Sequence, residues 1–78
     1  MKVKLSFFGI LTEVVGSAHV EFETDATSSA TLNSQLQHKY PELAKYSYKI
    51  AVNQEILSGE KALNEGDEVA FLPPFSGG

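Results

Sequence analysis

Glu65-Gly66-Asp67-Glu68-Val69-Ala70-Phe71-Leu72-Pro73-Pro74-Phe75-Ser76-Gly77-Gly78 is the stretch that orders the rest of the chain. Glu65-Gly66-Asp67 reads as a turn with positive φ at Gly66, and Glu68 to Leu72 follows as a strand. That strand has to stop at Pro73. Neither Pro73 nor Pro74 has an N–H to offer a ladder, and each fixes its own φ. Two successive prolines favour an extended polyproline spacer. The glycine pair beyond them has no Cβ, so it can be drawn into a channel too narrow for any side chain. A strand held in a sheet therefore runs straight into a thin tail that presents the Gly78 carboxylate.

Upstream, Val3, Leu5 and Phe7 alternate with Lys2, Lys4 and Ser6, the period of a half-buried strand. Gly9 breaks it. Leu11, Val14 and Val15 then fall at the spacing of one helical turn, which Gly16 is placed to end in a left-handed conformation. Val20 and Phe22 alternate with His19, Glu21 and Glu23, predicting a second strand that pairs with the first as a hairpin. After polar punctuation from Thr24 to Ser29 the period changes. Leu32, Leu36 and Tyr40 share one helical face, and Asn33, Ser34, Gln37, His38 and Lys39 point away from it. Ser28 is the N-cap candidate, with Thr31 at the position where a capping box would need a carboxylate. Pro41 ends the helix. Tyr48 to Val52 reads as a third strand, Asn53-Gln54 as a tight turn into a short strand from Glu55 to Leu57, and Ser58 to Asn64 as irregular.

The order strand, strand, helix, strand, short strand, strand predicts an α+β fold of the β-grasp, or ubiquitin-like, kind. A mixed sheet of four to five strands would pack on one main helix, with the first and last strands side by side at its centre and a flexible C-terminal Gly-Gly tail beyond them. The expected core is Val3, Leu5, Phe7, Val20, Phe22, Leu32, Leu36, Ile50, Val52, Val69 and Phe71. The expected organisation is one domain over 1–78, with a globular part over 1–72 and a functional tail over 73–78.

At 78 residues the chain has room for one small core and none for an enclosed active site of any size. It contains no Cys, which excludes disulfides, a thiolate nucleophile and a thiolate metal site. Any sulfur chemistry must use imported sulfur. Ten carboxylates stand against six basic residues, so no nucleic-acid partner is expected, because phosphate recognition needs a basic face. No stretch reaches transmembrane length and the start lacks the apolar run of a signal peptide, so neither a membrane partner nor export is expected, and the cytoplasm is the expected location.

Catalysis by side chains needs a convergent set. His19 and His38 fall on outward registers without metal-site spacing, and Ser17, Ser29 and Ser76 have no nearby base. Only the Gly78 carboxylate is set apart by position. A carboxylate repels nucleophiles and must first be activated, most simply as a mixed anhydride with AMP, which requires ATP and a separate enzyme. The activated acyl group can then meet a sulfur donor and become a thiocarboxylate, or meet a lysine amine and become an isopeptide. The residues leave both outcomes open.

The stretch Leu63 to Gly78, with Leu5-Ser6-Phe7-Phe8-Gly9, Glu13-Val14-Val15-Gly16 and Ala51-Val52-Asn53-Gln54, resembles the small subunit of molybdopterin synthase, a sulfur carrier in molybdenum cofactor synthesis. The resemblance spans essentially the whole chain, and its specific part is the tail. It implies that Gly78 is adenylated by an E1-like enzyme, converted to a thiocarboxylate with sulfur from a donor protein, and inserted into the large subunit to give sulfur to a pterin precursor. It further implies two small subunits on a large-subunit dimer, catalytic side chains on the large subunit, and no cofactor or metal held by this chain. Gly77 would give clearance and Pro73, Pro74, Phe75 and Ser76 would line the insertion path, with Phe75 as apolar anchor. Many relatives carry Arg near Thr12, and Ile10-Leu11-Thr12 offers none. A thiamin-pathway sulfur carrier, a ubiquitin-like protein modifier and a plain interaction module are the competing readings.

Overall fold

The computed structural model describes residues 1–73. Its centre is a pair of strands from opposite ends of the sequence. β1 (Lys2–Phe7) alternates buried Val3, Leu5 and Phe7 with solvent-facing neighbours. After α1 (Ile10–Val15), β2 (His19–Glu23) returns antiparallel to it, with Leu5 opposite Val20 and Val3 opposite Phe22. α2 (Ser29–Lys39) starts where the sequence places it: the Ser28 hydroxyl accepts the Thr31 N–H at 3.3 Å. A 3-10 turn over Pro41–Lys45 follows, since proline can open a helical turn although it cannot continue one. β3 (Lys49–Val52), β4 (Glu55–Ile56) and β5 (Glu68–Leu72) complete one five-stranded sheet in the order β2-β1-β5-β3-β4. β5 runs parallel to β1 and antiparallel to β3, which makes the sheet mixed. This is the β-grasp arrangement that the order of elements predicts.

Leu32 and Leu36 of α2 join Val3, Leu5, Phe7, Val52, Val69 and Phe71 in one buried cluster. The Phe7 and Phe71 rings stack with centroids 5.0 Å apart, and Tyr48 meets Phe71 edge-on at 5.6 Å. Three expected core residues, Val20, Phe22 and Ile50, are only half-buried. β2 lies at the sheet edge, where the single main helix cannot cover its inner face fully. Their places are taken by Ala26, Leu43 and Leu63, from connections that show no period long enough to read, and by Leu11 of α1, a single turn too short to tell which side is covered. Asn33 and Gln37 do not simply face solvent. Gln37 donates to the Tyr48 hydroxyl at 2.9 Å, and that hydroxyl donates to Asn33, so the flank of α2 is tied to the residue preceding β3.

The segment from Ser58 to Asn64 carries more order than expected. Ala62 pairs with Ser28 in an isolated bridge, the Leu63 N–H donates to the Thr27 carbonyl at 2.9 Å, and the Ser29 hydroxyl accepts the Lys61 N–H at 2.9 Å. The next turn is bound to the start of β1. Glu65 accepts the Lys2 N–H at 3.1 Å, Gly66 at φ 82° donates to the Lys2 carbonyl at 2.7 Å, and the Asp67 carbonyl accepts the Lys4 N–H at 2.9 Å. β5 is thereby aimed alongside β1 from its first residue.

Removing the Phe71 ring breaks both of its aromatic contacts, to Phe7 and to Tyr48. Phe71→Ala is expected to cost about 3–5 kcal/mol in urea denaturation. At the β3–β4 turn, Asn53 and Gln54 both hold positive φ, 50° and 73°. Gln54→Gly relieves a left-handed non-glycine conformation while adding unfolded-state entropy, and a net gain of about 0.5 kcal/mol is expected from the same measurement.

Candidate functional site

Because β1 and β5 are parallel, their C-terminal ends emerge side by side, with Phe7 opposite Phe71. The two strands then part. β1 passes through Phe8 and Gly9 into α1, whereas β5 keeps Leu72 paired with Lys49 of β3 and proceeds to Pro73. Gly9 has φ 56° and ψ −136°, a conformation that a Cβ disfavours strongly, and a Cβ placed on it would lie 3.1 Å from Cγ of Pro73. The half-buried Pro73 ring therefore sits close over the Gly9 backbone. The connection beneath it is anchored. Thr12 donates to the Gly9 carbonyl through its N–H at 3.1 Å and through its hydroxyl at 2.8 Å, Leu11 is fully buried, and Gly16 at φ 90° ends the turn as predicted.

The sheet face away from α2 is different in character. One rung crosses all five strands, pairing Ile56, Ala51, Ala70, Ser6 and His19 in turn. Leu72 and Lys49 form the next pair toward the tail. Ile56 is 57% exposed and Phe8 46%, both large apolar side chains held in water. A small-residue floor, Ala51 and Ala70, thus lies between exposed apolar groups near the point where the chain leaves the sheet. Lys4, paired with Glu21 on one side and Glu68 on the other, fringes this face at the end away from Pro73.

The predicted site residues divide sharply. Pro73 is placed as described, whereas Pro74, Phe75, Ser76, Gly77 and Gly78 lie outside the described residues. His19 is exposed, with Nδ1 3.3 Å from the Ser6 hydroxyl, and the Ser17 hydroxyl bonds the His19 backbone. His38 is also exposed, and Ser29 is buried in the bridge to Lys61. Among the described residues no group of three or more His, Cys, Asp or Glu side chains converges on a metal position, and no helix is long and apolar enough to cross a membrane. In the sequence Gly9 reads as a strand breaker, Phe8 and Gly9 as part of the family-like stretch and Ile56 as part of a short strand, but the contact of Gly9 with Pro73 and the exposure of Phe8 and Ile56 are not read there. The signal for Phe8 was present, since two adjacent phenylalanines cannot both face inward on a period of two.

Comparison with known proteins bears on this arrangement along its whole length. The profile of the ThiS family matches residues 5–78. The chain belongs to the ThiS family. Similar to this ThiS-family chain is the molybdopterin synthase sulfur carrier subunit of Mycobacterium tuberculosis, 37% identical over 83 residues that cover 100% of this chain and 99% of the relative. Among solved structures, SAMP1 from Haloferax volcanii has a TM-score of 0.83 at 26% identity, covering 100% of both chains. A chain in the complex of subunits 1 and 2 of the molybdopterin-converting factor from Helicobacter pylori has a TM-score of 0.73 at 26% identity, again with 100% of both chains covered.

The exposed apolar groups of this ThiS-family domain add little to its own stability. Phe8→Ser is expected to change the unfolding free energy by no more than about 0.5 kcal/mol. Phe7→Ala, one residue earlier and fully buried, should lose about 3–5 kcal/mol in the same titration.

Proposed function

We propose that this chain is the sulfur carrier and small subunit of a molybdopterin synthase, with Gly78 as its cargo site. The observation that carries this reading is the family match, which runs through residue 78 and is joined by full-length likeness to proteins named molybdopterin synthase sulfur carrier subunit. In the proposed division, residues 1–72 are a handle and 73–78 the working tail. A carboxylate oxygen of Gly78 attacks the α-phosphorus of ATP on an E1-like enzyme, pyrophosphate leaves, and an acyl-adenylate remains. A sulfide equivalent from a sulfur donor protein then displaces AMP and leaves a thiocarboxylate. On the large subunit the thiocarboxylate sulfur is transferred to the pterin precursor, water restores the second carboxylate oxygen, and two charged carriers are consumed for each dithiolene.

The chain needs no catalytic side chain for this, because activation and transfer happen in its partners. Pro73 and Pro74 stiffen the tail, Phe75 and Ser76 line the path, and Gly77 gives clearance. The face bearing Phe8, Ile56 and Leu72 is the docking surface for the large subunit, in a heterotetramer of two small and two large subunits. Apolar groups exposed beside the tail are what such a contact would cover. In this reading the reaction belongs to the cytoplasm. Conjugation to lysine amines is the second reading, favoured by the likeness to SAMP1, whose relatives are named small archaeal modifier proteins.

Deletion of Gly77 and Gly78 separates these roles. The truncated chain is expected to keep its fold and its affinity for the large subunit while losing adenylation and sulfur transfer entirely. Unchanged product formation would sink the carrier reading. Intact-mass spectra of the full chain should show one terminal oxygen replaced by sulfur, and only when the activating enzyme is present. A lysine adduct in place of that exchange would move the assignment to conjugation.

A further inference from the structure

We infer that Gly9 and Thr12 build a seat for Pro73 that fixes the direction in which the tail leaves the sheet, which makes both positioning residues for the chemistry at Gly78. This role rests on the carrier reading above. Two independent observations meet at Gly9. Its φ of 56° and ψ of −136° disfavour any side chain, and the space a Cβ would take is filled by Cγ of Pro73 at 3.1 Å. Starting a helix needs no such contact, since a serine or aspartate would cap α1 through its side chain and Gly9 makes no side-chain cap. The Thr12 hydroxyl, donating to the Gly9 carbonyl at 2.8 Å, holds that peptide plane against rotation, and buried Leu11 fixes the turn to the core.

On the other side of the contact, Leu72 is held by its pairing with Lys49, and the Pro73 ring fixes its own φ. The seat acts on the remaining freedom of that ring. A lever explains why this matters. Five residues drawn out into a partner channel reach about 16 Å, so a tilt of about 10° at Pro73 moves their end by about 3 Å, most of which the two glycines absorb by turning, leaving a fraction of an ångström at the carboxylate. Reacting groups misplaced by 1 Å can lose about 100-fold in rate. A seat far from the reacting carboxylate therefore contributes to rate without contributing to docking.

The test compares wild type, Gly9→Ala, Pro73→Ala and the double variant as full-length chains, with the activating enzyme and the large subunit supplied. Gly9→Ala is expected to slow adenylation and sulfur transfer at saturating partner on the order of fivefold, with the affinity for the large subunit within about twofold. Pro73→Ala should slow them similarly. The double variant should be no slower than Pro73→Ala alone, because the added Cβ then has no ring to displace. Loss of thermal stability from the left-handed backbone should appear equally in both backgrounds. Thr12→Val, which keeps shape and removes only the clamp, gives the same pattern at about twofold and serves if Gly9→Ala does not fold. Additive rate effects, or a lowered melting temperature with unchanged saturated rates, would overturn the seat. A wild-type chain that forms no adenylate refutes the carrier reading instead. The seat is then judged by proton NMR: Pro73 ring contacts to the Gly9 α-protons support it, and their absence overturns it.

Discussion

Everything in this domain hangs on the parallel pairing of β1 with β5. Parallel neighbours need a long crossover, and here the crossover contains the remaining three strands and the main helix. The stacked Phe7 and Phe71 rings stand at the end of that pair, so the burial that holds the sheet together is concentrated where the two strands finish. Because both strands point the same way, their exits are neighbours. That geometry lets a glycine from one exit support a proline from the other, which antiparallel strands would place at opposite ends.

The side chains divide labour along the same axis. Buried positions of β1, β3 and β5 face α2, while the opposite face keeps alanines at Ala51 and Ala70 and exposes Ile56. A face built this way contributes little to folding and is available for association. The acidic balance of the chain, ten carboxylates against six lysines, acts at longer range. A net acidic surface favours encounter with basic surfaces in general, without deciding any contact.

Much of this was legible in the sequence. Alternation located β1, β2 and β5, the Leu32 and Leu36 spacing located α2, and the Gly16 and Gly66 conformations followed from turn chemistry. What escaped were properties that arise only when distant segments meet. Leu11, Leu43 and Leu63 are buried because of what lies against them: Leu43 and Leu63 sit in no periodic run, and the single turn that holds Leu11 does not say which side is covered. Val20 and Phe22 have strand spacing, yet an edge position leaves them half-covered. At the site, the end of β5 and the exit into Pro73 could be read from the prolines. Its seat could not, because Gly9 and Pro73 are separated by nearly the whole chain and become neighbours only through strand order.

The bonds joining Lys2 to Glu65, 63 positions apart, have a consequence for how the molecule is made. Contacts of such separation form late, since the chain must close a long loop before they stabilise anything. The central pair cannot assemble until the strand next to the tail has been synthesised. A chain interrupted before β5 lacks its middle strand, and with it Val69 and Phe71 of the core. Biogenesis thus ties folding to synthesis of β5: a chain lacking it would be left without its middle strand and open to proteolysis.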